Sequence, residues 1–365
     1  MKKRVVSILA AVTLIGTLMA GCGAKDKAPD AAVSPDGGNK PEAQLVVAGN
    51  GATVENLMKD EIFKKFNEKY PDVKLSYVSG VSTEIVAKVK AQQAAPQIDL
   101  VIIEGGEQET GRKAGLWEPL VEQDIPNMKN VMDNLAISEN SGVTVNFTPM
   151  GISYQAEEVK AKGLPIPESW NDLALPEMKG NITLTEISSN FGRSALIMLA
   201  YANGGNEQNM DPGFEKLKTI AGYMPTFAKS AAQLQQNLQN KSAVYTAWTM
   251  ARSLVQADAG LDLEFVIPKE GAPIVPNVAS KVKNAKNTAA TDLFIDFLLS
   301  DEVQTLYGTK LYYHPATEVK LPDDIAQKLD FDRNKIVKTD YEAIGQNMSA
   351  WLDRFNKEIA PVTGK

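Results

Sequence analysis

Apolar residues recur along the chain with two periods, and the alternation between those periods lays out the elements. Leu45-Val46-Val47-Ala48-Gly49 is a continuous apolar run of strand length. Val54, Leu57, Met58, Ile62, Phe66 and Tyr70 follow at helical spacing until Pro71 stops the helix. A second unit repeats the scheme. Val73 to Val78 reads as a strand, Ser82 or Thr83 caps a helix through about Gln93, and Asp99-Leu100-Val101-Ile102-Ile103 is an apolar strand of the kind covered on both faces. Strands alternating with helices imply a parallel-type sheet, with ligand groups expected at the carboxyl ends of its strands.

A further region begins near Pro149-Met150-Gly151. Ser169 with Asp172 three residues on predicts a helix start, Asn181–Leu184 a strand and Phe191–Ala202 a helix. Ala243–Trp248 and Leu263–Ile267 read as strands flanking a helix, and Pro268–Pro273 is turn chemistry suited to a crossing back. From Ala289 the pattern is helical. The last stripe, Tyr341, Ile344, Met348, Trp351, Leu352, Phe355 and Ile359, has the spacing of a core-facing helix.

Composition changes the picture at the N-terminus. Met1-Lys2-Lys3-Arg4 is cationic, Val5–Met19 is uncharged and mostly apolar, and Ala20-Gly21 precede Cys22, the only cysteine. That apolar run is shorter than the ~20 residues of a permanent span, so residues 1–21 read as a signal peptide. Leu18-Met19-Ala20-Gly21-Cys22 resembles the bacterial lipobox, which implies a lipid on Cys22. A lone cysteine allows no intramolecular disulfide and no thiolate metal cluster. Residues 22–43 are Lys, Asp, Pro, Gly, Ala and Ser with little to bury, and are expected to form a flexible tether. The remaining stretch of roughly 320 residues exceeds what one core usually serves, so two lobes are expected. A net charge of −7 without a basic run after the signal argues against nucleic acid as a partner.

The order of "AGN", "FKKFNEKYPDVKLSYVSG", "STEIVAKVKAQ", "IDLVIIEGG", "GLWEPL", "SWNDLALPEMKGNITL", "VIPKEG" and "FIDFLLSDEVQTLYG" is similar to bacterial extracellular solute-binding proteins of the polyamine, ferric-iron, thiamine and aminophosphonate cluster. The resemblance implies an α/β, two-lobed fold of the type II periplasmic-binding-protein kind with two hinge strands. Lobe one would be residues 44–148 plus 277–365, and lobe two residues 149–276. It also implies a monomer that closes on a small solute and docks on the permease of an ABC importer. A surface sensor presenting its ligand to a receptor is the rival reading.

The candidate chemistry lies where strands give way to helices. Ser188, Ser189 and Asn190 precede a helix that carries Arg193, an arrangement suited to phosphate, phosphonate or carboxylate, with plain N-capping the alternative, while Glu186 before them is the acid that the resemblance to polyamine binders would use. Asn50, Thr53, Ser82, Thr83 and Glu104 sit in loops that follow the lobe-one strands. By resemblance to the polyamine binders, Trp248 and Tyr313 take the aromatic contacts, and Asn277 stands where those proteins place an aspartate. Fewer carboxylates weaken the polyamine reading, so an anionic or zwitterionic solute is favoured. Tyr312 and Tyr313 are adjacent, as in some ferric-iron sites, while His314 is expected at the surface. One histidine and no GxSxG, HExxH or phosphate-loop motif leave no catalytic residue, metal or cofactor to expect.

Overall fold

The computed structural model describes residues 43–364; the signal, Cys22 and the tether lie outside the described residues. Its strands are β1 (Ala43–Asn50), β2 (Val73–Gly80), β3 (Leu100–Glu104), β4 (Trp117–Glu118), β5 (Val143–Gln155), β6 (Tyr245–Thr249), β7 (Leu263–Val266), β8 (Ala272–Val282), β9 (His314–Pro315) and β10 (Ile336–Val337). The main order is β2-β1-β3-β8-β5-β6. β1 pairs in parallel with β2 and β3, as βαβ units require. β8 runs antiparallel to β3 and to β5, so the sheet is mixed rather than parallel throughout. The reason is connectivity: β8 returns from the far body and enters against the direction of its neighbours. Asn181–Leu184, expected as a strand, forms only a bridge from Ile182 to Tyr245.

Two cores explain the two lobes. One gathers Leu45, Phe66, Leu100, Val143, Val145, Ala279, Phe294 and Tyr307; the other gathers Met150, Ile152, Trp170, Leu196, Phe214, Tyr245 and Val275. β5 therefore leaves the first core after Val145 and joins the second at Met150, while β8 passes from Val275 in the second to Ala279 in the first. These are the two crossing strands, and they pair with each other from Val143↔Ala279 to Pro149↔Ile274.

The C-terminal segment differs from the expectation that 277–365 belongs to lobe one. β10 pairs with β8 at Ala272 and Pro273, and the helix Tyr341–Arg354 then buries Ile344 and Trp351, with Phe355 and Ile359 beyond it, in the second core. Phe355 meets Phe227 edge-on, with ring centroids 4.9 Å apart. An apolar stripe states that a helix face is buried, but not which core receives it. The chain thus passes a third time between the bodies.

Candidate functional site

Four strands bring polar side chains to one level of the sheet. β1 ends at Asn50 and β3 at Glu104; Glu104 lies opposite Asn277 of β8, which lies opposite Asn146 of β5. Asn277 donates its amide to Asn146 Oδ1 at 2.7 Å. Ser82 was expected as a helix cap, yet Val81 occupies that position without a side-chain bond. One residue inside the helix, the Ser82 hydroxyl donates instead to Asn50 Oδ1 at 2.9 Å and accepts the Glu104 backbone N–H at 3.2 Å. Glu104 leads directly into the helix Gly105–Lys113, where a Cβ on Gly105 would lie 2.8 Å from Pro276 Cγ.

The second body contributes two helix starts of the same design. Ser189 accepts the Phe191 N–H at 3.3 Å and caps Asn190–Tyr201, which carries Arg193. Thr249 accepts the Arg252 N–H at 3.4 Å and caps Met250–Asp258. Gly192 permits the first helix to close on the preceding segment, since a Cβ there would be 2.3 Å from the Thr185 carbonyl. Arg193 is 8 % exposed; its Nη2 donates to Asn190 Oδ1 at 3.4 Å and lies 3.6 Å from Glu107 Oε1. That ion pair joins the two bodies. Glu107 Oε2 is buried and has no hydrogen-bond partner among the described residues. The Arg252 guanidinium lies over the Phe191 ring, 5.6 Å from its centroid.

These charges act on one another. Burial first and the neighbouring Glu107 second push the Glu104 carboxyl up to about 7, against Arg193, Arg252 and a hydrogen bond from Asn190. Burial also raises the Tyr313 phenol, which feels Arg252 and Glu104 and bonds to Asn277. The Tyr341 ring packs on Gly105 and Gly106, and its hydroxyl donates to the Ile274 carbonyl at 3.4 Å. Burial raises that phenol too, beside Arg193, Glu107 and Glu104.

Of the residues singled out in the sequence, Asn50, Ser82, Glu104, Asn190, Arg193, Asn277 and Tyr313 converge here. Ser189 is used as a cap, and Ser188 and Thr83 are exposed. Glu186 contributes its backbone, its N–H donating to the Ala228 carbonyl at 3.1 Å. The Thr53 side chain lies outside those described. Trp248, given an aromatic contact by resemblance, is fully buried among Ala228, Leu234 and Leu238 and touches Phe191 edge-on, and its indole Nε1 has no hydrogen-bond partner among the described residues.

The two adjacent tyrosines face different partners. Tyr312 takes a left-handed backbone conformation, φ 54°, at the end of its helix, and this turns its hydroxyl to Asp258 and Lys328, away from the charges that Tyr313 faces. His314 is not at the surface. It is 4 % exposed, stacks on Phe147 and bonds through Nε2 to the Leu329 carbonyl at 2.7 Å. Burial holds it down to about 4. Among the described residues no cluster of three or more His, Cys, Asp or Glu is placed to hold a metal ion.

Arg252, Glu107, Asn146 and Tyr341 were not identified from the sequence as site residues. Arg252 stands three residues after a threonine that ends a strand, almost the spacing of Ser189 and Arg193, so the motif was present twice. Glu107 follows Glu104 by three in "EGGE", one helical turn further on. Tyr341 was hidden in an apolar stripe, and Asn146 is a lone amide in an apolar strand.

Comparison with known proteins agrees with this architecture. The spermidine/putrescine-binding periplasmic protein of Salmonella typhimurium is 26 % identical over 246 residues, covering 64 % of this chain and 68 % of that protein. A crystal structure of an ABC transporter protein from Clostridium perfringens superposes with TM-score 0.74 at 23 % identity, covering 87 % of this chain and all of that one. The periplasmic binding protein AfuA of Actinobacillus pleuropneumoniae, with fructose-6-phosphate bound, gives TM-score 0.71 at 24 % identity over 87 % of this chain and 99 % of that one. Residues 96–335 match the family model described as bacterial extracellular solute-binding protein. That match takes in both arginine-bearing helices and both crossing strands, and the chain belongs to the bacterial extracellular solute-binding proteins.

Proposed function

We propose that this protein is the substrate-binding component of an ABC importer and captures a small solute by an anionic group, held between the two lobes. The single observation that carries the reading is the placement of Arg193 and Arg252 in the first turns of two capped helices, both acting on Glu104 across the cleft. Helix N-termini add free N–H groups to the guanidinium charge, the combination that seats oxyanions. The relatives' printed ligands include a polyamine and a sugar phosphate. A polyamine would place ammonium groups beside two arginines, whereas a phosphate or carboxylate would meet complementary charge.

In this reading lobe one comprises residues 44–148 and 277–335, and lobe two residues 149–276 with the C-terminal helix. β5, β8 and the β10 segment act as the hinge. Cys22 carries the lipid that holds the protein at the membrane, and Cys22→Ser should move it to the soluble fraction.

The test is a thermal-shift screen over phosphonates, phosphate esters, di- and tricarboxylates, polyamines and thiamine. A ligand at 100 times its Kd adds about 2.7 kcal/mol, enough for a clear shift in Tm. For an anionic hit, Arg193→Ala and Arg252→Ala should each cost on the order of 2 to 4 kcal/mol of affinity while folding is kept. Full affinity in both variants would place the anion elsewhere.

A further inference from the structure

We infer that the solute is a zwitterion bound in one orientation, its oxyanion on Arg193 and Arg252 of lobe two and its ammonium group on Glu104 and Glu107 of lobe one. This rests on the cleft reading above and goes beyond it by naming the second charge and its direction. The charges around Arg193 are sorted by lobe. Glu104 and Glu107 come from the end of β3 and the helix after it; Arg193 and Arg252 come from two helices of the other body. An anion alone would answer only one wall.

The acidic wall is also short of donors. Glu107 Oε1 faces Arg193 at 3.6 Å, longer than a charge-assisted hydrogen bond, and Glu107 Oε2 is buried with no partner among the described residues. Glu104 is held by Asn190 and by the fields of two arginines, and these do not offset its burial beside Glu107. A buried carboxylate oxygen lacking a donor is costly, and the three N–H donors of an ammonium group would supply Glu107 Oε2 and add to the bond that Glu104 has from Asn190. Amides and a phenol adjoin Glu104 without adding a further charge: Asn277 lies opposite it and donates to Asn146, Asn190 bonds to it, and Tyr313 bonds to Asn277.

Proton linkage gives a readout that packing alone would not move. The titratable and charged groups facing Glu104 are Glu107 in the helix that follows it, Arg193 and Arg252 from lobe two, Tyr313 just beyond the helix Asp301–Leu311 and Tyr341 from the C-terminal helix. An ammonium group arriving there lowers the Glu104 pKa, so binding near neutral pH releases up to about half a proton. An anion without the amine raises it and takes protons up.

The experiment is calorimetry at pH 7 in two buffers of different ionisation enthalpy. The probes are ω-amino carboxylates and ω-amino phosphonates of two to five carbons, the same chains with hydrogen in place of the amine, and the corresponding diamines. The expected result is that an amino acid or amino phosphonate binds at least tenfold tighter than its deaminated analogue and releases protons. Glu104→Gln and Glu107→Gln, with Tm retained, should each erase most of that preference, and Glu104→Gln should also erase the release. Equal binding of the deaminated analogue, or proton uptake by the amino compound, would overturn the zwitterion and leave capture of an anion standing. Preference for a diamine, undiminished in Arg193→Ala, would overturn both. If none of these compounds binds, the zwitterion class is refuted, and an anion found in the wider screen still supports the cleft.

Discussion

Lys281 with Asp292 and Arg193 with Glu107 are two ion pairs of nearly the same seclusion, and their finish differs. In the first, side-chain exposures are 7 % and 11 %, and the ammonium group donates to both carboxylate oxygens at 2.7 and 3.0 Å. In the second, exposures are 9 % and 13 %, one oxygen lies 3.6 Å from the guanidinium and the other has no hydrogen-bond partner among the described residues. The first pair ties β8 to the helix Thr288–Leu298 inside one body; the second joins two bodies. Removing ions from water is repaid only when their bonds are complete. A complete buried pair is a structural fastening, and an incomplete one at a cleft has capacity left for a ligand.

The largest effect expected from this contrast is on stability. Lys281→Met leaves Asp292 buried without its counter-charge and should cost about 3 to 5 kcal/mol of unfolding free energy. Burial already pushes Asp292 above the ordinary carboxylate range, with Lys281 opposing. Without Lys281 the folded state binds a proton at Asp292 more tightly than the unfolded chain does. The loss should therefore shrink as pH falls toward the unfolded carboxyl range, and Lys281→Met with Asp292→Leu should recover most of it. Urea melts at several pH values check this. A Lys281→Met protein of wild-type stability would show that completeness does not mark a fastening.

A smaller effect falls on His314, a buried base stacked on Phe147. Its folded pKa, about 4, lies below the unfolded value of 6.5, so the unfolded chain binds more protons across that window. Stability therefore rises with pH from 4 to 6.5 and is lost on acidification. The histidine should account for about 2 kcal/mol of the loss between pH 7 and pH 5. His314→Phe, which keeps the ring between Phe147 and Phe331, should remove that part of the pH dependence. An unchanged difference between the two pH values would mean that His314 is not the titrating group.

The parts of this design legible in the sequence are those written in local pattern. The apolar run Leu100–Ile103 ends at Glu104, which stands opposite Asn277 at the end of β3, and the serines before Phe191 located a helix start with its arginine. What was not legible depends on partners distant in the chain. Nothing in "AVYTAW" marks the packing of Trp248 against Phe191, Leu234 and Leu238, which register across the sheet decides. The same holds for Tyr341, whose spacing matched the core stripe while its ring reaches Gly105 and Gly106. His314 was assigned outward by alternation along an extended segment, but β9 is covered on that side by Phe331 and the Leu329 carbonyl.

The smallest effect comes from a third pair spanning the same two bodies. Glu342, at the start of the C-terminal helix, lies 3.3 Å from Lys113 Nζ, with side-chain exposures of 63 % and 35 %. It crosses between lobes as Arg193 and Glu107 do, but in water. Exposed pairs contribute about 0.2 to 1 kcal/mol, screened by salt. Glu342→Gln should therefore change Tm by no more than a degree or two and alter affinity for an anionic ligand less than about twofold, with the small difference vanishing at high salt. Arg193→Ala, a few residues away in space through Tyr341, should lose far more affinity under the same conditions. If the two substitutions cost the same, bridging the lobes would be what counts. If only Arg193→Ala is costly, what counts is an unfinished charge pair held out of water, where a ligand completes it.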